Sequence, residues 1–191
     1  MKSKTYTIPF RRKREGRTHY RKRLGLLESG LPRLVVRKSL KNIQAQIVEF
    51  TPQGDKVLAS AHSAELKKMG WKTGAGNIPA AYLVGLLIGK KALHKSIKNA
   101  VLDIGLHPSV KGGRIYAVVK GVSEAGLNIP HDAVVLPPKE RLEGRHVIQY
   151  ASSLPQEVLK SRFVSYIKNG ISPSELDKYV NDCKKKIMSS Q

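Results

Sequence analysis

The side chains with the most evident chemistry are cations close to the N-terminus. Residues 10–24 read FRRKREGRTHYRKRL and hold eight Arg and Lys residues against a single acid, Glu15. Guanidinium groups match phosphate with paired hydrogen bonds, and His19 and Tyr20 can stack on exposed bases. A segment this polar cannot bury enough surface to fold alone, so it predicts an extended arm that orders on a polyanion, with nucleic acid favoured. A solubilising tail or a localisation signal is the alternative.

Two smaller groups of polar and basic residues add to this arm. One surrounds the first predicted strand and the turn after it, and the other flanks two glycines at a predicted helix start, where free backbone N–H groups favour phosphate. Four more lysines follow in the second half of the predicted long helix, at residues 90–98. They are candidates for RNA contact, but positive charge also complements a helix C-terminus. The first group is Arg33, Arg37, Lys38, Lys41 and Asn42, and the second is Lys111 and Arg114.

Groups that could carry out catalysis or hold a metal are sparse. The six histidines are isolated, and the GxxxxGK[ST], full GxGxxG and GxSxG patterns are absent from the sequence. The single Cys183 excludes an internal disulfide and a multi-cysteine zinc site. Asp103 is the one acid within an apolar strand, whereas a metal-dependent nuclease needs several carboxylates. We therefore predict no catalytic residue, no metal, no cofactor and no small-molecule substrate.

The charge balance agrees with a polyanionic partner. The 191 residues include 35 Lys and Arg and 14 Asp and Glu, for a net charge of +21, and the first 41 residues carry +12 of it. A partner of opposite sign relieves self-repulsion on this scale. The longest apolar stretch, residues 78–88, is too short to cross a bilayer, and a lone cysteine suits a reducing compartment. We expect a cytoplasmic protein without a membrane partner.

The elements that position these groups can be placed from periodicity. Alternation predicts strands at 33–39, 43–50 and 56–62, joined as an antiparallel meander with a tight turn at 51–55. A short helix is predicted at 63–69, and a long one at 77–97 with Asn77 as its N-cap. A buried strand at 100–104 and a helix from about 114 to Gly126 follow. This order predicts an α/β fold with helices packed on a mixed sheet.

The chain divides into three predicted parts: a basic arm at 1–31, an α/β core at 32–138 and a helical C-terminal appendage at 139–191. In the appendage we place one helix at 155–169 and another that opens at Ser172. Ser172, Pro173 and Glu175 have the spacing of a capping box. The last helix carries an apolar stripe, which consists of Leu176, Tyr179, Val180, Cys183 and Ile187.

Several long motifs together resemble a known family. They are FRRKREGRTHYRKRL, AAYLVGLLIGKKAL, LDIG followed by GGRIYAVVKGVSEAGLNIPH, and FVSYIKNGISPSEL. In this order, and over nearly the whole chain, they resemble the large-ribosomal-subunit protein family that binds 5S rRNA, called eighteen in bacteria and archaea and five in eukaryotes. The helical tail resembles the archaeal form. The resemblance implies a three-layer core of ribonuclease H-like architecture without catalysis.

The resemblance also implies partners and a site. The protein would bind 5S rRNA and anchor it to large-subunit rRNA and neighbouring ribosomal proteins in the central protuberance of the cytoplasmic ribosome. Arg33 and Lys41 are candidates from their position alone. The RNA-binding residues that the resemblance implies are Arg11, Arg12, Lys13, Arg14, Arg17, Thr18, Tyr20, Arg21, Lys22, Arg23, Arg37, Lys38, Asn42, Lys111 and Arg114.

Two other classes stay open from sequence alone. A metal-dependent nuclease would cleave RNA with magnesium and lose this activity on Asp103→Asn. A general DNA-packing protein would bind duplex DNA and folded 5S rRNA with equal affinity.

Overall fold

The computed structural model describes residues 7–189, and its centre is a four-stranded mixed sheet in the order β3–β2–β1–β4. β1 pairs antiparallel with β2, β2 pairs antiparallel with β3, and β4 runs parallel to β1. The predicted meander and the predicted α/β class with a mixed sheet are confirmed. The strands are β1 (Arg33–Lys38), β2 (Ile43–Thr51), β3 (Gly54–His62) and β4 (Val101–Asp103).

Nine α-helices lie within the described residues. They are α1 (Arg11–Arg14), α2 (Tyr20–Leu27), α3 (Ile78–Leu93), α4 (Arg114–Ala125), α5 (Lys139–Leu142), α6 (Arg145–Ser152), α7 (Gln156–Arg162), α8 (Val164–Lys168) and α9 (Leu176–Ser189). Of these, α2, α3 and α4 contact the sheet. Short 3-10 helices lie at Ser63–Met69, Ala133–Val135 and Pro173–Glu175. None of the helices between residues 7 and 189 combines the length and hydropathy needed to span a bilayer.

Helix α3 is the central element of the core. Asn77 caps it, with its side-chain oxygen accepting a hydrogen bond from Ala80 N at 2.8 Å, as predicted. The helix lies between the sheet, α4 and α9, and its apolar residues are buried nearly all round. It ends at Leu93, before the predicted end at 97, because the chain turns sharply at Ser96, which has a φ of +59°.

Two lysines after the buried part of α3 contact the edge strand of the sheet. Lys91 Nζ donates a hydrogen bond to the Ser60 carbonyl at 2.8 Å, and it pairs with the Glu65 carboxylate at 2.6 Å. Lys95 Nζ donates to the Leu58 carbonyl. These cations therefore have protein partners along β3, in addition to their position near a helix C-terminus.

Helices α3 and α4 approach each other through glycines. A Cβ atom added to Gly85 would lie 2.2 Å from the Val118 carbonyl oxygen, and one added to Gly121 would lie 2.2 Å from the Tyr82 carbonyl oxygen. Such distances leave no room for a methyl group. The two glycines thus permit backbone contact between the helices, which helps bring α4 down onto β1.

The C-terminal helix α9 belongs to the same hydrophobic core as α3. The predicted apolar stripe is confirmed at Leu176, Val180, Cys183 and Ile187, all of which are buried in this core. A polar cluster adds to the contact: Tyr82 on α3 donates to Glu124 on α4 at 2.5 Å, and Lys184 on α9 lies 3.0 Å from the same carboxylate. Burial, together with the bond to Glu124, raises the pKa of Tyr82 to about 12.

Two details of the C-terminal prediction were wrong. The helix predicted at 155–169 is broken at Phe163 into α7 and α8, because the Phe163 ring turns inward and packs beside the rings of Tyr150 and Tyr166.

The predicted capping box at Ser172 also does not form. The Ser172 side chain makes no cap hydrogen bond, and Glu175 pairs with Lys178 at 2.8 Å instead. The sequence did not predict α5 and α6, and the boundaries of the three parts stay a prediction.

The α3–α4 contact predicts different outcomes for the same substitution at two glycines. Gly85→Ala should lower the free energy of unfolding by about 1–3 kcal/mol, because the added methyl group overpacks the helix contact. Gly25→Ala should raise it by about 0.5–1 kcal/mol, since Gly25 lies within α2 with nothing near its Cβ position. Urea unfolding followed by circular dichroism measures both. Equal effects at the two positions would contradict the close contact.

Candidate nucleic-acid interface

The two faces of the sheet are chemically different. One face is apolar and packs against α3 and α4, with Leu34, Val36, Ala45 and Ile47 fully buried. The other, which we call the open sheet face, mixes charged, polar and aliphatic side chains because successive residues of a strand point to opposite sides. The open sheet face consists of Arg33, Val35, Arg37, Gln46, Val48, Asp55, Val57 and Asp103.

Helix α2 lies over one end of the open sheet face and encloses a cavity of about 530 Å³. The arm contributes four cations to the lining, and the loop after β4 contributes Gly105 and Leu106. The acids in the lining are Asp55 and Asp103, and both are paired with arginine. The cavity is therefore positively charged. The arm cations are Arg12, Arg17, Lys22 and Arg23.

Asp103 organises the floor of this cavity. Its carboxylate accepts hydrogen bonds from Arg33 Nη1 at 2.8 Å and from Arg37 Nη2 at 3.1 Å. The Gly105 amide donates to the same carboxylate at 2.8 Å, and Arg37 Nη1 also donates to the Asp103 carbonyl. Burial by itself would raise the pKa of Asp103, but the charge of Arg37, the Gly105 amide and Arg33 together hold it below its usual value.

Asp55 joins the arm to the sheet. Its two carboxylate oxygens lie 2.9 Å from Arg23 Nη2 on α2 and 2.9 Å from Arg33 Nη2 on β1. Arg33 is thus held between two acids, and its side chain is only 4 % exposed. The network contains three arginines and two aspartates, which leaves one positive charge in excess.

The arm was predicted to be extended, but it contains the helices α1 and α2. The ring centroids of Phe10 and Tyr20 lie 5.2 Å apart, and the His19 side chain accepts a hydrogen bond from Lys22 N at 3.1 Å, which caps α2. Arg12 Nε donates to Thr18 Oγ1 at 2.9 Å. With the Arg23–Asp55 pair, these contacts give the segment an order that its composition alone does not reveal.

The candidate cations fall into two groups by their contacts. Arg11 and Arg17 flank Glu15, and Arg114 Nη1 donates to the carbonyls of Ser39 and Gly76, so it links two loops. Others make no side-chain hydrogen bond or ion pair within the described part of the chain and can bind an external anion. These are Lys13, Arg14, Arg21, Lys22, Lys38, Lys41 and Lys111.

The glycine loop offers less to phosphate than its sequence indicates. Gly112 N donates to the Val135 carbonyl at 2.9 Å, and Gly113 N donates to the Val110 carbonyl at 3.0 Å. Both amides are occupied within the protein. Lys111 keeps its position beside the start of α4, so it remains the external contact that this loop can make.

Lys41 and Asn42 lie apart from the cavity, in a second groove. Asn42 Oδ1 accepts a hydrogen bond from Ser63 Oγ at 3.2 Å, which fixes the turn after β1. The groove runs between this turn, the loop before α3 and α8, and it also contains Lys67 and Lys72. Among residues 7–189, none lines both the groove and the cavity. Sequence reasoning missed Lys67 and Lys72, because only the fold brings them beside Lys41.

Sequence reasoning also missed Gln46, which lies on the open sheet face. The alternation of β2 was a usable signal, since it places Gln46 on the side opposite Ala45 and Ile47.

The pKa of His107 is consistent with a positively charged surface. Burial and the cations of Lys38, Arg37 and Arg114 lower this pKa below its usual value. Between residues 7 and 189 there is no group of three His, Cys, Asp or Glu residues that could hold a metal.

An α/β scaffold with a positive cavity, a second basic groove and unpaired surface cations has the features of a nucleic-acid-binding protein. Comparison with known proteins identifies the family. The family model described as "Ribosomal large subunit proteins 60S L5, and 50S L18" matches residues 4–100 and 94–132. The chain belongs to this family of large-subunit ribosomal proteins.

Two archaeal relatives match nearly the whole chain. The "Large ribosomal subunit protein uL18" of Methanococcus maripaludis is 50 % identical over 186 residues, which cover 96 % of each chain. The protein of the same name from Caldivirga maquilingensis is 53 % identical over 187 residues, which cover 96 % of this chain and 90 % of the relative. The resemblance to the archaeal form is confirmed. The protein is a structural ribosomal constituent of the cytoplasm and not an enzyme.

The Asp103 contacts predict a large loss of stability on substitution. Asp103→Ala should lower the free energy of unfolding by about 3 kcal/mol, because the buried Arg33 keeps only Asp55, which it shares with Arg23, and Arg37 loses its carboxylate partner. Asp103→Asn should cost less, since the amide oxygen still accepts a hydrogen bond. Urea unfolding at neutral pH measures both. Glu49→Gln, at an exposed position of β2, is the control and should change stability by less than about 0.5 kcal/mol.

The lowered pKa of Asp103 also predicts a pH dependence. The contribution of this carboxylate to stability should be complete above its unfolded pKa of about 3.9, and it should be lost as the pH falls through the lower pKa of the folded state. The stability difference between the wild type and Asp103→Asn should therefore shrink below about pH 4. Urea unfolding from pH 7 to pH 2 tests this, and a constant difference would contradict the ion pair.

Proposed function

We propose that this ribosomal protein binds 5S rRNA through the open sheet face and the helices of its arm, and anchors it to large-subunit rRNA and neighbouring proteins in the central protuberance. The observation that carries the proposal is the positively charged cavity between α2 and the sheet. Membership of the family and the motifs of the arm support it. We also propose that the core has the ribonuclease H-like architecture that the family resemblance implies.

Phosphate contacts should supply most of the affinity, because A-form RNA hides its base edges in a deep groove that side chains cannot read. Lys13, Arg14, Arg21 and Lys22 have no competing contacts in the described residues and are suited to this role. Arg23 and Arg33 act differently. They hold α2 against the sheet through Asp55, so they fix the position from which the free cations reach the RNA.

The second groove is suited to large-subunit rRNA. Its lysines, Lys41, Lys67 and Lys72, line a space of about 910 Å³, and none of the described residues that line it carries a carboxylate side chain. Because it shares no lining residue with the cavity, two RNA segments can be held at the same time. Anchoring one RNA to another requires this separation.

The experiment compares 5S rRNA binding by two variants of equal net charge. If about six arm residues contact phosphate, the wild-type logarithm of affinity should fall with that of salt at a slope of about −4 to −5. Replacing Lys13, Arg14, Arg21 and Lys22 with Gln should reduce the steepness by about 3, at 0.7 to 0.9 per contact. Replacing the exposed Lys68, Lys98, Lys160 and Lys185 with Gln should leave it nearly unchanged.

Equal slopes for the two variants would show that the attraction depends on net charge alone, and the proposed interface would be wrong. Duplex DNA of the same length is the competitor. Equal affinity for DNA and 5S rRNA would favour a general packing role.

A further inference from the structure

The cavity beneath α2 has an apolar floor that phosphate binding does not explain. Val35, Val48 and Val57 extend into it from three neighbouring strands, and Leu106 flanks it from the loop after β4. Val57 and Leu106 are 49 % and 54 % exposed. Aliphatic side chains cannot bind a phosphate group, but they can contact the flat face of a planar ring. This floor therefore fits an apolar, planar part of a ligand.

One polar group in the lining has unused hydrogen-bonding capacity. The side-chain amide of Gln46 makes no hydrogen bond within the described residues. An amide both donates and accepts, so it can pair with the edge of a base that lies on the apolar floor.

The entrance of the cavity is cationic. Arg12, Arg17 and Lys22 contribute from the arm, and Arg37, whose side chain is 42 % exposed, contributes from β1. The volume of about 530 Å³ lies within the range of about 300–1,000 Å³ that is typical of small-ligand sites. The combination of an apolar floor, an amide that can pair with a base edge and a cationic entrance matches a nucleotide, with its base inside and its phosphates at the entrance.

We propose that the cavity holds one unpaired nucleotide that is extruded from the bound RNA, with its base against the valines and its flanking phosphates at the arm cations. This inference rests on the proposed function and specifies it, because it assigns recognition to a single-stranded position rather than to a duplex. RNA-binding proteins commonly achieve sequence selectivity at loops and bulges, where bases can be splayed out. Selectivity for 5S rRNA would then come from where the unpaired nucleotide lies.

The structure offers a way to fill the cavity without removing a cation. Gly25 lines it from α2, has an ordinary helical backbone and has no atom within 4 Å of its Cβ position. Gly25→Leu should place a side chain in the space of the base. Gly25→Ala is the matched control, since it adds only a methyl group at the same position. Both substitutions favour the helix, so neither should unfold the protein.

The experiment measures 5S rRNA binding by the wild type and both Gly25 variants over a range of salt. We expect Gly25→Leu to bind about tenfold or more weakly, as for the loss of one base contact, with an unchanged salt slope because the phosphate contacts remain. Gly25→Ala should bind nearly as the wild type does. Wild-type affinity for Gly25→Leu would overturn the inference.

A second measurement identifies the nucleotide. Unpaired positions of 5S rRNA are replaced one at a time by abasic nucleotides. One replacement should weaken binding by the wild type, and the same replacement should have no further effect on Gly25→Leu and a smaller effect on Gln46→Ala, which keeps the valines. Additive losses at every position would overturn the inference. A wild-type protein that fails to bind 5S rRNA would instead contradict the proposed function itself, so the two failures are distinguishable.

Discussion

The ion pairs of Arg33 are the interaction on which the rest of the site depends. A guanidinium group that is almost fully buried must be neutralised, and Asp103 on the adjacent strand β4 and Asp55 on β3, beyond β2, do this from the two sides of Arg33. Each aspartate then has capacity left for a second arginine. Asp103 binds Arg37 and orients the loop at Gly105, whereas Asp55 binds Arg23 and draws α2 over the sheet. One buried cation thus sets the position of both walls of the cavity.

Cations in this protein have two distinct roles that charge counting cannot separate. Arg23, Arg33 and Arg114 bind carboxylates or carbonyl oxygens of the protein and hold its parts together. Lys13, Arg14 and their neighbours on the arm have no such contacts in the described residues. Arginine predominates in the first role because its planar fork binds two acceptors at once. The count of 35 Lys and Arg residues therefore overstates the number of cations that are available to RNA.

The sheet and the two helices packed on it could be predicted from the sequence, because alternation and capping residues are local signals. The order within the arm could not. It depends on Arg23 meeting Asp55, which is 32 residues away, and on Phe10 meeting Tyr20. For the same reason Arg33 was predicted only as an RNA contact. The alternation of β1 shows on which face of the sheet Arg33 lies, but it does not show that Asp55 and Asp103 lie beside it. The break at Phe163 also follows from tertiary packing, since the local pattern continues through it.

The lysines that bind the carbonyls of Ser60 and Leu58 have a consequence for the time before assembly. β3 lies at the edge of the sheet, and an edge strand with free carbonyls can recruit a strand from another molecule. Lys91 and Lys95 occupy these acceptors and add charge beside them. We expect this arrangement to disfavour strand pairing between newly made copies that have not yet met RNA.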